Sequence, residues 1–386
     1  MNLLLAVIYA AFISLGLPDA LLGAAWPAMQ GDLGAPVSYA GIISMIISAG
    51  TIVSSLNSDR LTKKLGTGKV TAVSVAVTAA ALWGFSVAGS FPVVCVIAFP
   101  YGLGAGAVDA ALNNYVAIHY KARHMSWLHC FWGIGASAGP YIMGACLGGG
   151  LPWNSGYRMV SLLQIVLTAV LFFTLSWWRK PGEAGEEGAE DGESFRLKDL
   201  LELPGAKAAL ASFFCYCALE QTAGLWAASY MVLNRGVTAE AAARWASLFY
   251  LGITAGRFLC GFITLKLDDK AMVRLGQTVA LAGILLLALP LGQGLTGTGL
   301  VMVGMGCAPI YPALLHETPS NFGEDTSQAI MGMQMACAYV GTMAMPPLFG
   351  MLSGAAGMWL YPWYLLALAA VMAVMVEILN RKSRER

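Results

Sequence analysis

The chain has 386 residues, of which 58% are hydrophobic and only 11% charged, and its formal net charge is +1. A water-soluble fold of this length needs a charged surface that such a composition does not supply. With 22 basic against 21 acidic residues and no basic patch interleaved with aromatics, nucleic acid is excluded as a partner.

An α-helix needs about 20 apolar residues to cross a bilayer core. Twelve segments reach that length: 3–29, 38–58, 70–89, 92–117, 127–149, 157–178, 207–233, 243–265, 271–293, 296–316, 328–352 and 358–380. The first lacks a basic leader and a small-residue cleavage site, so it reads as a spanning helix and not as a removable signal. If both termini are cytoplasmic, 18 of the 22 basic residues fall on the inside. Arg158, Arg235 and Arg244 are then outside and Arg257 is mid-span. Shifting the frame by one helix reverses the asymmetry. The expectation is a multi-pass protein of the cell inner (plasma) membrane, working as a monomer in the lipid bilayer.

Between Arg179 and Pro204 the pattern breaks, with eight acidic residues and several glycines. This reads as a solvated linker, with Ser194 to Leu203 able to lie as a short amphipathic helix on the inner face. It divides the chain into an N-terminal six-helix bundle (1–178), a cytoplasmic linker (179–206) and a C-terminal six-helix bundle (207–386). The fold class is an all-α membrane protein of twelve transmembrane helices in two pseudo-symmetric bundles.

The halves resemble each other at offsets near 200 residues. Asp19 to Gly23 matches Glu220 to Gly224, Ser48-Ala49-Gly50 matches Thr254-Ala255-Gly256, and Gly102-Leu103-Gly104 matches Gly304-Met305-Gly306. A parallel repeat of this size is a common construction of secondary transporters, with the substrate site near mid-membrane. No Walker A sequence or channel-filter repeat is present, so ATP-driven pumping and channel conduction lack support. Nor is there a nucleophile–base pair, and the eight cysteines form no CxxC or Cys/His cluster. No enzyme activity, cofactor or metal is expected.

Charges inside a span are costly and point to function. Asp19 follows Pro18 and shares a helical face with Gly23, Trp26 and Gln30, a set suited to a polyhydroxylated ligand. Asp109 and Asn113 project from one face of span 4, with Asn114 adjacent. A carboxylate kept from bulk water suits proton exchange. Glu220 stands in span 7 where Asp19 stands in span 1, with Tyr216 one turn before it and Gln221 beside it. Asp19, Asp109 and Glu220 are the proton-coupling candidates. Arg257 is a candidate charge partner, and His129 and Trp132 at the start of span 5 are candidate substrate contacts. Gly135, Gly139 and Gly144 read as packing residues.

These motifs resemble the major facilitator superfamily across the whole chain. Ser58-Asp59-Arg60 through Lys63-Lys64-Leu65-Gly66 is similar to that superfamily's basic gating motif after helix 2, implying a gating loop of Asp59, Arg60, Lys63 and Lys64. Leu17-Pro18-Asp19, Val108-Asp109 through Asn113-Asn114, Leu128-His129 through Trp132-Gly133, and Tyr216 through Glu220 resemble the fucose permease branch of sugar–proton symporters. The resemblance implies that Asp19 and Asp109 handle substrate and proton. That branch has Glu where this chain has Asp109.

The expected function is proton-coupled symport of a monosaccharide or similar small polar solute by alternating access. Gly135 to Pro140 also resembles the helix 5 motif of drug–proton antiporters, which keeps export as an alternative. A non-transporting membrane sensor is the third reading.

Overall fold

The computed structural model describes residues 3–120, 122–178, 197–263, 266–290 and 292–384, and among them the regular structure is entirely helical. In chain order the first span is α1 (Leu3–Asp19) and α2 (Leu21–Asp32). Next come α3 (Tyr39–Leu65), α4 (Thr67–Val87), α5 (Phe91–His119), α6 (Ala122–Gly148) and α7 (Trp153–Phe173). A short α8 (Leu197–Glu202) precedes α9 (Ala206–Arg235), α10 (Ala239–Ile263), α11 (Asp269–Ala288) and α12 (Gln293–His316). The chain closes with α13 (Thr318–Phe322), α14 (Glu324–Ala356) and α15 (Tyr361–Arg384).

Each of the twelve expected spans falls on a helix. Among the described residues nine spans are long and apolar enough to cross a membrane, beginning with Leu3–Asp32. The other three expected spans are α3, α9 and α10, of 27, 30 and 25 residues. At 1.5 Å per residue even the shortest is about 37 Å long, more than a bilayer core.

The expected gating loop is corrected: Asp59, Arg60, Lys63 and Lys64 belong to the last turns of α3. Nothing from Ser58 to Leu65 breaks a helix, and the Thr62 hydroxyl donates to the Ser58 carbonyl inside it. The break comes at Gly66, whose φ of 81° only glycine adopts without strain. The side chains of Asp59, Arg60 and Lys63 lie outside the described residues; Lys64 is exposed.

The chain forms two compact units, Met1–Glu186 with Ala227–Tyr250, and Glu187–Trp226 with Leu251–Arg386. In the first, α1 packs along α6, α3 along α5, and α4 between α5 and α7. Its core gathers Ile8, Phe12, Val108, Leu112, Leu128 and Leu171. In the second, α11 packs on α12 and α15. There Leu200 of α8 is buried with Phe322, Ile330 and Leu379, so this short helix is anchored on protein.

Glycine notches set the helix approaches. A Cβ at Gly50 would meet the Leu103 nitrogen of α5 at 3.0 Å, and one at Gly256 would meet the Met305 carbonyl of α12 at the same distance. The two glycines that align in the repeat thus do the same job in each half.

Candidate functional site

Pro18 has no N–H to donate, so the helix loosens there; α1 ends at Asp19 and α2 starts at Leu21. Asp19 therefore sits at a helix end midway along an apolar span. Beside it α1 and α6 run in the same direction. Tyr9 stacks on Phe131 at 4.6 Å, Phe12 meets the edge of His129 at 6.0 Å, and Gly16 lies against the Trp132 backbone. Further on, a Cβ at Gly135 would run into the Ile13 carbonyl and one at Gly139 into the Leu17 carbonyl. This close approach brings Trp132 to Asp19.

The Trp132 indole N–H donates to Oδ2 of Asp19 at 2.7 Å. From α5 the Tyr101 hydroxyl donates to Oδ1 at 3.4 Å. The Asp19 side chain nevertheless keeps accessible surface, so an ionisable group in an apolar span borders open space. Asp109 lies about two turns beyond Tyr101 on α5, and Asn113 donates to its carboxylate at 2.9 Å and to its backbone carbonyl at 3.0 Å. Asp109 is within electrostatic reach of Asp19. Trp132 in turn meets the ring of Tyr250 edge-on at 6.5 Å. The first unit thus holds two polar groups at electrostatic range, Asp19 with an indole and a phenol and Asp109 with an amide, groups able to bind hydroxyls and to take up a proton.

The second unit holds another polar group. The Tyr216 hydroxyl donates to Glu220, one turn along α9. Glu220 and Arg257 both lie within electrostatic reach of Tyr216 and Cys307. Arg257 therefore shares its surroundings with Glu220. Among the described residues no group of three His, Cys, Asp or Glu side chains is placed to hold a metal ion.

Of the residues expected from sequence, Asp19 is bonded by Trp132 and Asp109 by Asn113, the two pairs lying within electrostatic reach of each other. His129 is half-buried one turn before Trp132, against Phe12. Trp26 departs from expectation: it is fully buried, and its indole N–H donates to the Val37 carbonyl at 2.8 Å. A buried indole needs an acceptor, and the turn after α2 supplies one. Gln30 is half-buried on α2, Gln221 is exposed beside Glu220, and the side chain of Asn114 lies outside the described residues. Tyr101 did not emerge from sequence, although a tyrosine hydroxyl inside an apolar span has to find a partner.

The family model of the Major Facilitator Superfamily matches residues 8–333. An uncharacterized transporter, y4wD, of Sinorhizobium fredii is 25% identical over 92% of either chain. The glucose/mannose transporter GlcP of Bacillus subtilis is 20% identical over 80% of this chain and 77% of its own. Among solved structures, the Escherichia coli fucose:proton symporter FucP is similar with a TM-score of 0.66, at 18% identity, covering 99% of this chain and 98% of its own. A bacterial homologue of the lysosomal transporter Spinster, inward-facing and occupied, gives 0.71 at 12% identity, covering 99% of this chain and 96% of its own.

Proposed function

Because the chain belongs to the Major Facilitator Superfamily and is a multi-pass membrane transporter, we propose that it is a proton-coupled symporter of a monosaccharide or similar small polar solute. The observation that carries this reading is the Asp19 carboxylate, set midway along an apolar span and held by Trp132 and Tyr101. Asp109 and Asn113 stand within its electrostatic reach. A carboxylate pair with an amide and an indole suits sugar hydroxyls and faces, and relatives named for glucose, mannose and fucose support the solute class. Neutralising a carboxylate removes the cost of holding a charge away from bulk water, which makes the acid state part of the cycle.

In this reading Asp19 or Asp109 takes a proton from the outside, sugar binds, and the chain, taken as six-helix bundles 1–178 and 207–386 with a 179–206 linker, works by alternating access. Both termini are cytoplasmic, the membrane is the plasma membrane, and one chain suffices. Within the second unit Glu220, bonded by Tyr216 and sharing its surroundings with Arg257, is the further candidate for carrying a proton.

Uptake into proteoliposomes under an inward proton gradient tests it, with labelled L-fucose, D-galactose, D-glucose and D-mannose as probes. Accumulation above equilibrium that a protonophore collapses is expected, and Asp109→Asn should abolish the accumulation while leaving counterflow. Proton-driven export of a lipophilic cation would favour a drug antiporter, and sugar binding without exchange would favour a sensor.

A further inference from the structure

The two hydrogen bonds on Asp19 differ in kind. An indole N–H is a donor only, whereas a phenol O–H both donates and accepts. While Asp19 is an anion, both of its oxygens accept, from Trp132 at Oδ2 and from Tyr101 at Oδ1. A neutral carboxyl has an O–H of its own to donate. On Oδ2 that proton would make the indole's acceptor a hydroxyl oxygen, a weaker acceptor than the carboxylate or carbonyl oxygen it replaces. On Oδ1 it would point at a phenol oxygen, which accepts as soon as its own hydroxyl turns. The lengths agree: 2.7 Å for the indole bond and 3.4 Å for the phenol bond, so the weaker one is the one that gives way.

The surroundings also favour a fixed indole and a turning hydroxyl. The backbone of Trp132 lies against Gly16, and its ring meets Tyr250. Tyr101 is buried with its ring against Phe85 at 6.1 Å, and reversal needs only rotation about its C–O bond.

We propose that Asp19 takes its proton on Oδ1, that Tyr101 then reverses from donor to acceptor, and that Trp132 stays bonded to Oδ2 throughout. The step forms one O–H bond at Oδ1 and breaks one O–H bond of a hydronium ion, which leaves as water; no bond in the protein breaks, and Asp19 goes from anion to neutral. Tyr101 and Trp132 are positioning residues: one switches with the proton, the other holds the carboxyl in orientation. This rests on reading Asp19 as a transport carboxylate. Among the described residues, the titratable groups that act on it are Tyr101 and Asp109 from α5, with Tyr157 of α7 behind Tyr101; His129 of α6, one turn before Trp132, lies against Phe12.

The test is a pH titration of the purified full-length protein by infrared difference spectroscopy, reading the carbonyl band of the protonated carboxyl that Asp19→Asn removes. It needs no substrate. Trp132→Phe removes a donor that serves the anion most, so the midpoint of that band should move to higher pH by about one unit, a tenfold change. Replacing Trp132 with its benzothienyl isostere keeps the ring shape while deleting the N–H, and it should give the same shift if Trp132→Phe fails to fold. Tyr101→Phe removes a partner from both states, so it should change the band frequency while moving the midpoint by only a few tenths of a unit. The proposal is overturned if the Trp132 variants leave the midpoint in place, if Tyr101→Phe moves it equally far, or if Asp19→Asn removes no band. Failure of the transport reading is separate: Asp19→Asn would then retain gradient-driven uptake.

Discussion

The side-chain amide of Gln164 donates to the Ser14 carbonyl at 2.8 Å, and Ser14 is the residue whose carbonyl Pro18 leaves without its helical donor. Gln164 lies on α7, 150 residues away in sequence. A backbone carbonyl inside a bilayer span must be satisfied within the protein, and this bond supplies the donor that Pro18 cannot.

Gln164→Leu removes that donor and buries the Ser14 carbonyl without it. The expected cost is about 1–3 kcal/mol of stability, read as a lowered melting temperature of the detergent-solubilised protein. An unchanged melting temperature would mean that the carbonyl is satisfied some other way.

Gly139→Ala places a methyl group against the Leu17 carbonyl of α1, two residues before Asp19. Backbone cannot yield as a flexible side chain does, so α1 and α6 must separate. Expected are a lower melting temperature and a sharp loss of transport. Gly31→Ala is the control: a Cβ there has open space, and alanine in a helix is favoured over glycine by about 0.5–1 kcal/mol.

Trp26→Phe deletes the bond to Val37 from a fully buried ring. It should lower stability by about 1–3 kcal/mol while leaving KM for the transported solute unchanged in the protein that folds. A raised KM at unchanged stability would return Trp26 to the binding face.

Glu317, between α12 and α13, is buried, and burial pushes its carboxyl above the ordinary carboxylate range. Lys270 at 3.9 Å and an Asn321 hydrogen bond oppose this, while Asp268 and Asp269 reinforce it. The folded chain then binds this proton more tightly than the unfolded one, so stability falls as pH rises from the ordinary value through the raised one. Glu317→Gln should therefore melt higher than the parent at neutral pH, with the gain vanishing in acid below the ordinary carboxylate value. A gain that persists in acid would assign it to packing.

The pair Asp109 and Asn113 could be read from the chain because a spacing of four closes on one helix face, and the hydrogen bond between them is local. The six-plus-six repeat was legible for a similar reason, since Gly50 and Gly256 serve equivalent notches at aligned positions. The gating segment was misplaced in a loop because a basic, polar stretch after an apolar run looks like a connection. Its lysines, arginine and leucines are good helix formers, and only Gly66 interrupts them.

What this sequence settles by itself is where the chain crosses the membrane and which acids it carries there. Span length and charge are properties of local composition, and the solvent imposes them directly. What holds Asp19 was decided only by tertiary structure, because Tyr101 and Trp132 lie 82 and 113 residues from it and reach it through helix contacts. Those contacts depend on which glycine notch meets which backbone. A glycine in a sequence shows that a close approach is possible, but its partner is fixed only when the helices pack.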